Sequence, residues 1–162
     1  MKNPINRALV AKKKLLLFAA MCLMALSMSA QDYVDLGLPS GTLWSPMNEE
    51  LLQPYPEAKA RFGDRIPTWE QWHELINYCQ WTWTGKGYKL IGPNGNSIYL
   101  PAAGLIFPGD GPLYVGESGD YWSSTKDPAG NMFALTFDEY RYLVRGDMRP
   151  GYGFSVRLVK NK

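Results

Sequence analysis

This chain has little of what chemistry usually needs. Of its 162 residues only His73 is a histidine, and Cys22 and Cys79 are the only cysteines. One imidazole and two thiols do not supply the clustered ligands of a zinc site. A long apolar run is missing too. The longest, Leu15 to Met28, is about 14 residues, short of the roughly 20 that a membrane-spanning helix needs. There is no internal repeat, and no paired carboxylates or nucleophile beside a base converge in the sequence.

The excess of basic residues disappears once the N-terminus is set aside. Residues 1–30 read as a secretory signal peptide. Lys2, Arg7, Lys12, Lys13 and Lys14 form its basic start, the Leu15–Met28 run its apolar middle, and Ser27, Ser29 and Ala30 its small-residue end. Met21 stands before Cys22 where lipoprotein processing needs a small residue, so lipidation is not expected. Cleavage leaves 12 of the 17 Lys+Arg against 15 Asp+Glu, a net charge near −3. That balance argues against nucleic acid and anionic membrane as partners. The product is expected to be secreted, periplasmic or at the cell surface, with no membrane insertion after cleavage. With Cys79 alone remaining, no intramolecular disulfide can form. A single domain over 31–162, about 130 residues, buries roughly two thirds of its unfolded surface and holds by packing.

What the chain does have is one well-marked helix. In RIPTWEQWHELINYCQ (65–80), Thr68 is placed to cap and Gln71 completes a T-x-x-Q capping box. Trp72, Leu75, Ile76 and Cys79 then recur at helical spacing along one face. His73 falls on the opposite, solvated side. Before it, Tyr33–Leu36 and Thr42–Trp44 read as a hairpin, and Glu57–Phe62 as one short helix closed by Gly63. After it come short extended runs at Trp81–Thr84, Tyr88–Ile91, Ser97–Leu100, Tyr121–Thr125, Met132–Phe137, Tyr140–Arg145 and Phe154–Val159. Residues 101–120 are too rich in Gly and Pro for a regular element, yet carry Leu105, Ile106, Phe107, Leu113 and Tyr114. They read as one long packed loop. The class is α+β, one main amphipathic helix on short antiparallel strands.

The segments YVDLGLPSGTLW (33–44), RIPTWEQWHELINYCQWTW (65–83), GPNGNSIYLPAAG (92–104), YWSST (121–125) and SVRLV (155–159) occur in this order. Together they resemble the Fibrobacter succinogenes major paralogous domain family, secreted or surface proteins abundant in Bacteroidetes and considered related to the C-type lectin-like fold. The helix start and GFSVRLV also look like parts of formylglycine-generating, sulfatase-modifying enzymes. The resemblance implies a C-type lectin-like domain whose terminal strands, Tyr33–Leu36 and Phe154–Val159, share one sheet. Family members usually carry a longer stretch after the first hairpin, with an NVGA-like segment and a Trp-Gly-Glu motif. This chain has only SPMNEELLQPYPEAKARFGD there, so the upper part of the domain is shortened.

Sulfatase-modifying chemistry is associated with a pair of cysteines, and Cys79 is alone, so no enzyme is expected by that route. Asp110, Glu117, Asp120, Asp127 and Asn131 are the candidates for calcium. They form no D-x-D-x-D-G loop, and the E-P-N and W-N-D motifs of calcium-dependent lectins are missing, so no metal or other cofactor is expected. Trp72 and Trp122 are assigned to the core. A binding surface is assigned to the long loop and the strand after it, at Phe107, Asp110, Tyr114, Glu117, Asp120 and Tyr121, where aromatic rings and carboxylates occur together. The expected function is a noncatalytic, lectin-like module that binds a glycan or a surface protein. A structural or assembly domain without a small ligand is the alternative.

Overall fold

The computed structural model describes residues 33–162; the signal-peptide assignment lies outside these described residues. Nine strands and two α-helices form an α+β domain. In chain order they are β1 (Val34–Asp35), β2 (Leu43–Asn48), α1 (Tyr55–Phe62), α2 (Trp69–Tyr78), β3 (Gln80–Trp83), β4 (Gly87–Ile91), β5 (Ser97–Pro101), β6 (Gly119–Lys126), β7 (Met132–Phe137), β8 (Tyr142–Met148) and β9 (Arg157–Lys160). The strands make three antiparallel sheets of three, ordered β1-β2-β9, β3-β4-β5 and β6-β7-β8. The terminal strands therefore share a sheet, with β2 between them.

The main helix begins where its capping residues place it. The Thr68 hydroxyl accepts from the Gln71 amide at 3.2 Å, and the Gln71 side-chain oxygen accepts from the Thr68 amide at 2.9 Å. Trp72 and Leu75 are buried, while Ile76 and Cys79 are half-buried against the same core. His73 is not free in solvent: its ring packs 3.9 Å from that of Trp69 on the outer face. Burial pushes the Cys79 thiol up to about 11, with Glu74 adding to the effect, so it stays protonated at neutral pH.

Most element ends differ from the sequence reading, and three of these differences have a clear local reason. Strand β2 runs on through Pro46 to Asn48, because its register with β9 shifts between Trp44 and Asn48 and a residue without an N–H is tolerated at such an irregularity. Strand β8 starts at Tyr142 instead of Tyr140, since the Asp138 carboxylate accepts from the amides of Tyr140 and Arg141 at 2.9 and 3.0 Å and holds both in the turn. The last run is regular only from Arg157, while Phe154 and Ser155 make single bridges to Gln53 and Tyr121.

Two cores lie on the two faces of the β6-β7-β8 sheet. Neighbouring residues of a strand point to opposite faces, so Tyr121 enters the core that holds Trp44, Trp72, Leu90, Leu100 and Leu135. Trp122 enters the other, with Phe62, Met132, Ala134, Phe154 and Val156. The Trp72 indole N–H donates to the Trp122 carbonyl at 3.2 Å, tying α2 to this sheet. Trp122 in turn donates to the Gln53 carbonyl at 2.7 Å.

The long loop is packed, as its apolar residues imply. Leu105 and Leu113 exchange backbone hydrogen bonds at 3.1 and 2.8 Å, as do Ile106 and Gly153 at 2.8 Å in both directions. Gly104 holds the loop base at φ 71°, and a Cβ there would overlap the Leu113 carbonyl, so only glycine fits.

Candidate functional site

The face of the β6-β7-β8 sheet that carries Trp122 is not covered along its whole length. Near the start of β6, Asp120, Thr136 and Leu143 lie directly opposite one another across β6, β7 and β8. Loop residues Leu105, Tyr114, Glu117 and Ser118 flank this row, as do Asp138 and Arg141 from the β7–β8 turn and Arg145 from β8. Together they enclose an open groove of about 670 Å³. Two lobes continue it. One, of about 470 Å³, shares Glu117 and Asp138 and adds Trp83, Glu139 and Tyr140. The other, of about 330 Å³, shares Leu105, Asp120, Thr136 and Arg145 and adds Phe107, Asp147 and Tyr152. Such volumes suit a small ligand or a short stretch of polymer.

The groove mixes apolar and charged groups. Tyr114 is 55% and Leu143 40% exposed, offering a flat ring and an aliphatic patch. Arg141 approaches Asp138 at 3.4 Å, and Arg145 places one guanidinium nitrogen 3.3 and 3.2 Å from the two Asp147 oxygens. Neither Glu117 nor Asp120 makes an ion pair among the described residues. Asp120 is the unusual one. It is only 7% exposed, and its one side-chain hydrogen bond comes from the Ser118 hydroxyl at 3.4 Å. Burial pushes its carboxyl up to about 7, against the opposing pull of Ser118 and Arg145.

That shift has a consequence for stability with a definite sign. The folded value lies above the ordinary 3.8, so the folded chain keeps this proton to higher pH than the unfolded chain does. The stabilisation is complete below pH 3.8 and is lost as pH rises through about 7. Urea titrations across this window should show stability falling by at most about 1.4 kcal/mol per pH unit, and Asp120→Asn should flatten that limb. An unchanged slope in the variant would assign the proton to another group.

Backbone strain gathers at the same place. Tyr114 at φ 57° and Asp147 at φ 68° are the two residues other than glycine with positive φ among those described. A left-handed tyrosine costs roughly 1–2 kcal/mol. It is held because the amides of Glu117 and Ser118 both donate to the Tyr114 carbonyl at 3.0 Å. Asp147, whose amide donates to Asp127 at 3.0 Å, carries the carboxylate that orients Arg145. Both strained residues thus serve the groove and its lobes, one lining the main cavity and one fixing a cation beside it.

Of the residues assigned from sequence, Tyr114, Glu117 and Asp120 meet in the main groove. Phe107 reaches only the smaller lobe, half-buried with its ring 5.1 Å from that of Tyr152. Asp110 is exposed on the loop and lines none of these spaces. Tyr121 is a correction. It is fully buried on the opposite face, its hydroxyl donating to the Pro101 carbonyl at 2.7 Å. Both faces of β6 are covered there, so a strand residue beside the loop does not share the loop's exposure.

Thr136, Asp138, Arg141, Leu143 and Arg145 were not foreseen. Leu143 and Arg145 fall at alternate, exposed positions of β8, a spacing that any edge strand with one wet face shares. Asp127 is occupied by turn chemistry, one oxygen accepting from the amides of Ala129 and Asn131 at 2.9 Å and the other from Asp147. No group of three His, Cys, Asp or Glu among the described residues is placed to hold a metal ion. Searched against protein-family models, curated proteins and solved structures, the chain matches none.

Proposed function

We propose that this chain is a secreted, noncatalytic binding module of the C-type lectin-like kind, related to the Fibrobacter succinogenes major paralogous domain family, and that it holds a glycan or a surface protein. The pairing of both terminal segments with β2 supports the lectin-like assignment. The observation that carries the binding function is the groove itself. An exposed tyrosine ring and a leucine lie beside guanidinium, hydroxyl and carboxylate groups, an arrangement suited to a ligand with one apolar face and many hydroxyls.

Tyr114 and Leu143 decide the matter experimentally. Both are well exposed, so Tyr114→Ala with Leu143→Ala should leave the melting temperature nearly unchanged. The same pair should abolish binding of whatever a glycan array or a pull-down identifies. Chelator should make no difference. Binding that survives the double substitution moves the site away from the groove.

The assembly reading has its own observation. Leu51 and Val115, 64% and 63% exposed, line a separate cavity of about 540 Å³ with Ile106 and Pro112. A partner chain bound there would be released by Leu51→Asp or Val115→Asp and not by the Tyr114 and Leu143 pair.

A further inference from the structure

A carboxylate taken out of water is normally matched by a cation or by several donors. Among the described residues Asp120 has no ion-pair partner and accepts one side-chain hydrogen bond, from Ser118, although it is 7% exposed and opens into both the main groove and the smaller lobe. Its neighbours supply the matching charge only in part, through the pull of Arg145. Arg145 is turned to Asp147 and Arg141 to Asp138, and Glu117 adds a further negative charge on the loop side. The ionised Asp120 carboxylate is therefore left without an ion-pair partner among the described residues at a defined point of the groove. Ser118 and Thr136 carry hydroxyls beside that point, and Tyr114 carries a ring.

We propose that the groove takes a sugar bearing a free primary amine, with the ligand ammonium seated on the Asp120 carboxylate. The inference rests on the groove being the binding site. An ammonium supplies the donors and the charge that Asp120 lacks. The sugar hydroxyls then meet Ser118, Thr136 and the outward N–H groups of the two arginines, while the ring face lies against Tyr114. A lysine side chain offers the same charge but no hydroxyls for these groups. Seating a cation there also reverses the effect of burial, so the Asp120 carboxyl titrates lower in the complex than in the free protein.

The test compares a glucosamine oligomer with free amines against its fully N-acetylated counterpart of equal length, using the intact protein. Calorimetry gives the affinities, and carbon NMR follows the Asp120 carboxyl. The free-amine oligomer should bind on the order of ten- to a hundred-fold more tightly, and the Asp120 titration should move to lower pH when it binds. Asp120→Asn should erase the preference.

Equal affinity for the two oligomers, lost in Tyr114→Ala, would overturn amine selection while keeping the groove as the site. An unmoved Asp120 titration, or no binding of either oligomer, would overturn the proposal even if Asp120→Asn fails to fold. Oligolysine binding more tightly than the amino sugar would overturn the choice of a sugar. Failure of the groove itself shows separately, as array ligands indifferent to the Tyr114 and Leu143 substitutions.

Discussion

Trp72→Ala should destabilise the domain by roughly 3–5 kcal/mol, whereas Thr68→Ala, four residues earlier on the same helix, should cost only about 1 kcal/mol. The Trp72 side chain is fully buried between Trp44, with ring centroids 4.9 Å apart, and Tyr121, at 5.8 Å. Truncation removes this packing, leaves a cavity and deprives the Trp122 carbonyl of its indole donor. Loss of the Thr68 hydroxyl exposes one amide of the first turn, and water can replace it. Denaturant titrations of both variants check the ranking. Two equally mild losses would mean that α2 is not the element on which the sheets assemble.

Arg157→Ala should be comparably severe, and for a different reason. Arg157 is fully buried in β9 and makes no ion pair among the described residues; its guanidinium donates to the carbonyls of Ser45 at 2.8 Å and Tyr99 at 2.6 Å. It thereby ties the sheet of β1, β2 and β9 to that of β3, β4 and β5. Burial pulls its pKa down to about 10, with Tyr121 opposing, which leaves it cationic at neutral pH.

The bond to Ser45 is buried and the bond to Tyr99 partly so; a buried acceptor left without its donor costs about 1–3 kcal/mol, and alanine adds a cavity, so a loss of roughly 3 kcal/mol or more is expected. Arg157→Met keeps much of the volume and removes a buried charge that has no counter-ion, so it should be the milder change. The order of the two midpoints in urea is the measurement. If methionine is as damaging as alanine, the hydrogen bonds outweigh both packing and charge.

The two variants probe kinds of information that were unequally visible in the primary structure. Thr68, Gln71, Trp72 and Leu75 announce themselves, because capping and helical spacing are relations over three or four residues and the chain itself sets the distances. Arg157 does not. An arginine in SVRLV gives no sign that its partners are carbonyls 112 and 58 residues away. The short strands lie between these cases. Their existence was readable from alternation and turn residues, but the start of β8 depended on which amides the Asp138 side chain would hold.

The candidate site divides in the same way. Sequence alone determined an α+β chain with one capped helix and a Gly- and Pro-rich loop that carries Tyr114, Glu117 and Asp120. Each follows from neighbours a few residues apart, where backbone geometry leaves few choices. Tertiary structure decided that Tyr121 is core while Asp120 faces a groove, and that the opposite wall comes from Thr136, Leu143 and Arg145. The reason is strand pairing. The ladders of β6 with β7 and β7 with β8 set which residues stand opposite one another, and a one-residue change of register would exchange the faces. Register is fixed by the fit of two cores on the two sides of one sheet, a relation between distant segments that no local pattern contains.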